Sequence, residues 1–75
     1  MTGIIQEFKT WSLDDMRAGV REASRYLDVL NQAVHRATAA GLHDIADQKR
    51  ECYSDHKREL DMLMAIYAAA KRKAE

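Results

Sequence analysis

The chain has 75 residues, with 12 basic and 12 acidic side chains, so its formal net charge at neutral pH is zero. Hydrophobic residues make up 47% of the sequence, which is too apolar for a disordered tail, and the length suits one small domain over residues 1–75. Because the charges balance, we do not expect the molecule as a whole to attract polyanions. Because so short a chain buries a thin core, we expect association with another copy to add stability.

Cysteine content and hydropathy bear on the compartment. The single cysteine, Cys52, excludes an internal disulfide and favours a reducing environment. The first residues lack the basic region and apolar run of a secretion signal, and no stretch of about 18 apolar residues predicts a membrane span. We therefore expect a cytoplasmic protein with no membrane contact.

Residues 1–11 are predicted to form an N-terminal helical arm. Ile4, Ile5, Phe8 and Trp11 recur at helix-like spacing. The arm emerges beside the end of the chain's second long helix, where Met-rich apolar groups spread too widely for one partner helix. We expect the arm to pack over that end, within one chain or across a dimer.

Helix one is predicted over residues 12–41. Ser12 precedes the helix and Asp15 follows three residues later, in a variant of the capping box. Gly41 can take the left-handed conformation that ends a helix. The strongest pattern in the sequence is an unbroken alternation of spacings of three and four, which predicts a packed inner face. Its members are Leu13, Met16, Val20, Ala23, Leu27, Leu30, Val34 and Ala37.

Helix two is predicted over residues 42–75. Asp44 is expected to cap the start of the helix, and Asp47 lies in the first turn, where the positive end of the helix dipole favours a carboxylate. Three basic residues complement the negative end of the dipole at the far end of the helix: Lys71, Arg72 and Lys73. The predicted inner face is polar in its first half and apolar in its second. It comprises Ile45, Lys49, Cys52, His56, Leu60, Leu63, Tyr67 and Ala70.

The short connection between these helices predicts an antiparallel hairpin. Folding about it places Val20 near Leu63 and Leu27 near His56; likewise Leu13 falls near Ala70, and Val34 near Lys49. A two-helix hairpin cannot enclose a wide apolar stripe. We therefore expect an all-α fold, an antiparallel helical hairpin with a short N-terminal arm that assembles into a homodimeric helical bundle.

Large aromatic and sulfur-containing side chains are candidates for binding a partner protein. Aromatic residues anchor interfaces, and Met adapts its shape to the surface it meets. At helical spacing the same residues also serve as ordinary core, and a self-interface is the interpretation we favour over a foreign surface. The candidates are Trp11, Tyr26, Tyr53, Met62, Met64, Ile66 and Tyr67.

Cys52 and His56 are four residues apart, so both could ligate one metal ion from the same helix face. Two ligands do not complete a site, and we favour Cys52 as a small core residue and His56 as a hydrogen-bonded interface group. The pair also resembles a nucleophile and base with Asp55 or Glu59 nearby, but a bare hairpin offers no pocket or oxyanion hole. We expect no catalysis, cofactor, metal or small-molecule substrate.

A basic stripe lies on helix one opposite its inner face, with Arg17, Arg21 and Arg25 extended by Gln32 and Arg36. In a dimer, two such stripes could bind a nucleic-acid backbone, because arginine binds phosphate bidentately. Interleaved acids favour a solvated face with local ion pairs instead. A matching acidic stripe on helix two is interpreted as an orientation device or solvated surface: Asp44, Asp47, Glu51, Asp55 and Glu59.

The run Leu42-His43-Asp44-Ile45-Ala46-Asp47, together with Cys52, resembles part of the second helix of Rop-type plasmid RNA-binding hairpins. The resemblance covers a handful of residues, and it implies a dimeric hairpin without transferring any RNA-contacting residue. We favour a non-enzymatic protein–protein interaction module that binds and modulates, for example inhibits, another protein, as small accessory proteins of phages or mobile elements do. The alternative is a Rop-like dimeric RNA-binding hairpin.

Overall fold

The computed structural model describes the backbone of residues 2–74 and the side chains of residues 5–74, so the predicted arm contact of Ile4 lies outside the described side chains. It contains three helices and, over this range, no strand: α1 (Thr2–Phe8), α2 (Leu13–Ala39) and α3 (His43–Ala74). The two long helices pack against each other and α1 packs against α3. The predicted all-α hairpin with a helical arm is confirmed.

The two long helices run antiparallel. Tyr26 of α2 contacts His56 of α3, and further along α2 Thr38 accepts a hydrogen bond from Arg50, which comes earlier in α3. Val20 packs against the cluster that contains Leu63, as the predicted alignment requires.

Side-chain capping begins α2 where the sequence predicts. The Ser12 hydroxyl oxygen accepts a hydrogen bond from the backbone N–H of Asp15 at 3.2 Å. This bond satisfies one of the N–H groups that have no partner inside the first helical turn. The helix therefore begins at Leu13, with Ser12 as its cap.

A glycine closes α2 and turns the chain into α3. Gly41 has φ +77°, a left-handed conformation that glycine adopts without a Cβ penalty. Its N–H donates to the Thr38 carbonyl at 3.1 Å, and the Leu42 N–H donates to the Ala37 carbonyl at 2.8 Å. This is the Schellman arrangement, which ends α2 at Ala39, two residues before the predicted limit of residue 41.

Helix α3 begins at His43, one residue before the predicted cap Asp44. The Leu42 carbonyl already accepts the N–H of Ala46 at 3.0 Å, so Leu42 occupies the capping position. Asp44 lies in the first turn, where its carboxylate still interacts favourably with the positive end of the helix dipole. Asp47 instead pairs with Arg50 at 2.8 Å.

The inner face of α2 is as predicted, since all eight of its residues are buried or half-buried. The first half of α3 departs from the prediction at alternate positions. Lys49 and His56 are half-buried as predicted, but Ile45 and Cys52 are exposed, and Ala46 (buried) and Tyr53 (half-buried) take their places on the inner face. The cause is geometric. Counting backwards from Ala70 in steps that alternate between three and four residues reaches Tyr53 and then Ala46. Only such an alternation keeps one stripe of side chains facing a neighbouring helix.

The arm packs against the hairpin of its own chain. Phe8 is 1% exposed and joins Met16 and Leu63 in a buried cluster. Trp11 follows with its ring centroid 5.3 Å from that of Phe8. A Cβ on Gly19 would lie 3.0 Å from the Trp11 ring and 3.3 Å from the Phe8 ring, so the missing side chain lets both rings approach α2 closely. The arm covers part of the Met-rich end only, because Met62 and Met64 remain half-exposed.

Candidate protein-interaction surface

Two broad faces flank the line of contact between α2 and α3, and the arm lies on one of them. Phe8 and Trp11 pack on Gly19 of α2. Residues seven apart share one side of a helix, so Tyr26 and Ala33 lie on the same side of α2 as Gly19. His56 of α3 contacts Tyr26, so the flank of α3 that lies beside Tyr26 belongs to the same surface. We call this surface the arm face; its α3 border comprises Ile45, Cys52, Glu59 and Ile66.

Exposed apolar side chains concentrate on the arm face. Val29 lies one turn beyond Tyr26, and Met62 lies one turn before Ile66, so both extend this surface outward. Leu42 adds an exposed group in the connection between α2 and α3. The described residues with large, exposed apolar side chains on the arm face are Trp11, Tyr26, Val29, Ile45 and Met62.

The opposite face, which we call the polar face, has a groove of about 410 Å³ between α2 and α3. Arg50 crosses its end, donating to Asp47 at 2.8 Å and to the Thr38 hydroxyl at 3.4 Å. The Thr38 hydroxyl in turn donates to the Val34 carbonyl at 2.8 Å. Five of the seven lining residues carry a hydroxyl, amide or imidazole group; the lining comprises Asn31, Val34, His35, Thr38, Arg50, Tyr53 and Ser54.

The fold divides the predicted partner-binding residues between these surfaces. Trp11, Tyr26 and Met62 lie on the arm face, whereas Tyr53 lines the groove of the polar face. Met64 follows Met62 by two residues, which turns it by about 200° to the polar side of α3. Ile66 and Tyr67 are half-buried against the cluster around Phe8 and contribute mainly to the core.

Val29, Leu42 and Ile45 were missed as surface candidates. Ile45 was assigned to the inner face of its helix, and Val29 lies directly before Leu30 of the inner face but outside the alternation of three and four that defines that face. The seven-residue series Asp15, Glu22, Val29 and Arg36 would have placed Val29 at the edge of a defined surface, because these positions share one side of α2.

Cys52 and His56 do not converge on a site. Cys52 is exposed, whereas the half-buried His56 ring packs edge-on against Tyr26 with centroids 4.7 Å apart. Within the described part of the chain, no three side chains of His, Cys, Asp or Glu are grouped as ligands for one ion. What the structure offers is therefore an aromatic contact that holds the two helices together, with a free thiol beside it.

Local ion pairs partly neutralise the predicted basic stripe. Arg17 pairs with Asp14 at 3.4 Å and Arg25 with Glu22 at 3.9 Å, all on exposed positions. Exposed pairs of this kind contribute about 0 to 1 kcal/mol each, so they orient the guanidinium groups more than they stabilise the fold. Each pair also places a carboxylate where a nucleic-acid phosphate would have to approach.

We expect the chain to bind neither RNA nor DNA more tightly than about 10 μM near physiological salt, which is the range of non-specific contacts. The triple variant Arg17→Gln/Arg21→Gln/Arg25→Gln should retain the helix content and melting temperature of the parent. Fluorescence anisotropy with labelled RNA and DNA hairpins, over a series of salt concentrations, measures this. A submicromolar complex that weakens steeply with salt and disappears in the triple variant would contradict the prediction.

Comparisons with protein-family models, with curated proteins and with solved structures gave no match to this chain. Across residues 2–74, none of the three helices combines the length and apolar character needed to cross a bilayer.

Proposed function

We propose that this chain is a non-enzymatic protein–protein interaction module. It associates with itself through the arm face as a homodimeric helical bundle, and the remaining surface of the assembly binds and modulates another protein, for example by steric occlusion. The observation that carries the proposal is the distribution of the large, exposed apolar side chains of the described residues: five of the seven lie on the arm face, and Met64 alone lies on the polar face.

Physical chemistry supports a binding role for the arm face. Scattered apolar residues are ordinary on protein surfaces, but contiguous apolar patches bordered by polar groups are typical of interaction sites. Trp11, Tyr26 and Met62 are of the residue types enriched at interface centres. Acidic and basic residues such as Glu22, Glu59 and Arg36 border the patch and supply the polar rim that interfaces have.

Two methionines provide a matched test of this proposal. Met62 and Met64 are each 49% exposed, lie two residues apart on α3, and belong to opposite faces. A charge at position 62 must be desolvated in a complex formed through the arm face. We expect Met62→Glu to weaken association at least about tenfold, equivalent to roughly 1.4 kcal/mol, and Met64→Glu to change it less than twofold.

The measurement has two stages. Sedimentation of the purified chain and its variants gives the self-association constant. Affinity capture from nuclease-treated extract, followed by titration of each recovered protein against the same variants, gives the affinity for other partners. Equal effects of Met62→Glu and Met64→Glu on self-association would contradict the assignment of the dimer contact to the arm face. A complex lost on nuclease treatment would favour the Rop-like RNA-binding alternative.

A further inference from the structure

We propose that two copies of this chain bind through their arm faces in antiparallel orientation, with the two-fold axis beside Tyr26. The arm of each copy then packs against the turn end of the other copy. This inference deepens the proposed function and rests on it, because it assigns the self-association partner, its orientation and its register to the same apolar surface.

The position of the arm selects the orientation. Phe8 and Trp11 occupy the open end of the face, over Gly19, and thicken the molecule there. A parallel pair would bring both arms to the same end, where they would collide and hold the remaining faces apart. An antiparallel pair places each arm opposite the thinner turn end, where Ile45 is exposed.

The register follows from the sequence of α2. Tyr26 is the middle residue of this helix, which extends over Leu13–Ala39, so an axis at Tyr26 gives the two α2 helices full overlap. The same axis brings Gly19 of one copy level with Ala33 of the other. Trp11 packs on Gly19, and the small, half-buried Ala33 leaves room for its indole ring across the interface.

Two charged residues on the edge of the arm face, Asp15 and Arg36, agree with this register. Asp15 borders the surface beside Trp11 at the open end, and Arg36 lies on the same edge of α2 near the turn. Among the described residues, neither pairs with an opposite charge of its own chain. An axis at Tyr26 brings Asp15 to within one residue of Arg36 of the second copy, and the symmetry forms this ion pair twice.

The available area suits a stable dimer. The molecule measures 49 × 19 × 14 Å along its principal axes, and the arm face is one of its broad sides. A flat rectangle of this length and width has an area of on the order of 900 Å², so burial of nearly the whole face gives the roughly 800 Å² per partner of standard stable interfaces.

A charge exchange tests the register. Asp15→Arg and Arg36→Asp each bring like charges together twice, so each should raise the dimer dissociation constant about tenfold or more in sedimentation equilibrium. The double variant Asp15→Arg/Arg36→Asp should restore it to within about threefold of the parent. Circular dichroism confirms that every variant keeps its helix content. Single variants without effect, or a double variant that is no better than they are, would overturn the proposed register.

A disulfide test reports orientation independently of charge. In a Cys52→Ser background, Tyr26→Cys lies beside the two-fold axis and should form a covalent dimer on mild oxidation. Ala33→Cys is the matched control, because its symmetry mate would be displaced by 14 residues, or about 21 Å along the helix. Efficient crosslinking at position 33 and not at position 26 would overturn the antiparallel arrangement.

Failure of this inference can be separated from failure of the proposed function. A dimer that dissociates in Met62→Glu but shows neither the charge rescue nor the Tyr26→Cys crosslink still uses the arm face, and it overturns the antiparallel arrangement alone. A chain that remains monomeric from micromolar to millimolar concentration overturns self-association together with this arrangement. Binding to a different protein is measured separately through the captured partner.

Discussion

Replacing Phe8 with alanine should lower the free energy of unfolding by about 3 to 4 kcal/mol, the usual cost of emptying a buried phenylalanine site. Phe8 is the largest fully buried side chain of the described residues, and it joins the arm to Met16 of α2 and Leu63 of α3. Since domains of this length have total stabilities of roughly 4 to 11 kcal/mol, the loss is a large fraction of the whole.

Urea unfolding followed by circular dichroism measures this loss, and Trp11 fluorescence identifies its origin. In Phe8→Ala, the emission of Trp11 should move toward that of a solvated indole, because its neighbouring ring at 5.3 Å is gone. Val29→Ala is the control, as Val29 is 60% exposed and should change stability by less than about 0.5 kcal/mol. An unchanged unfolding midpoint in Phe8→Ala would show that the arm is not docked in solution.

The substitution Leu30→Asp should have the largest effect on the fold. Leu30 is 4% exposed at the centre of the contact between α2 and α3. The substitution removes a buried apolar side chain and places an unpaired carboxylate there, which together cost more than about 5 kcal/mol. We expect loss of cooperative folding at 25 °C, and with it loss of any dimer.

The adjacent position supplies the control for this variant. Val29→Asp adds the same charge one residue earlier, on the exposed edge of the arm face, so its folded monomer should retain the helical spectrum and a cooperative thermal transition. Self-association should nevertheless weaken, because Val29 lies in the proposed interface. Cooperative melting of Leu30→Asp close to that of the parent would contradict the assignment of Leu30 to the core.

Sequence periodicity predicted α2 well because one physical requirement determines the whole helix. Its inner face must meet a single neighbouring helix, and residues from Leu13 to Ala37 follow the alternation of three and four without exception. Ser12 and Gly41 were equally predictable, since each supplies a local property that the helix end needs: a hydroxyl acceptor and a left-handed backbone.

Hydrophobicity was a poor guide to the first half of α3. Ile45 and Cys52 are more apolar than the lysine, tyrosine and histidine that share the inner face there, yet both are exposed. Near the turn the helices approach closely around Ala46, which is completely buried, and a small residue suits that approach better than a bulky one. Spacing and side-chain size therefore decided the orientation of the helix, and hydrophobicity did not.

The two faces of the hairpin were less accessible to sequence reasoning. Assigning Tyr26 and Tyr53 to different faces requires knowing which flank of α2 lies beside which flank of α3, and that follows from the fold. The close approach of Trp11 to Gly19 has no periodic signal at all, because it joins the arm to α2 through the absence of a side chain.

The three-residue connection between α2 and α3 also bears on how fast and in what order the chain folds. Contacts beside the turn close the shortest loops and therefore cost the least chain entropy, so the hairpin should form from Gly41 outward. The arm joins at the opposite end, after Leu63 and Met16 have met. Its packing belongs to the last step of folding and the first step of unfolding, so weakening it should accelerate unfolding and leave the folding rate nearly unchanged.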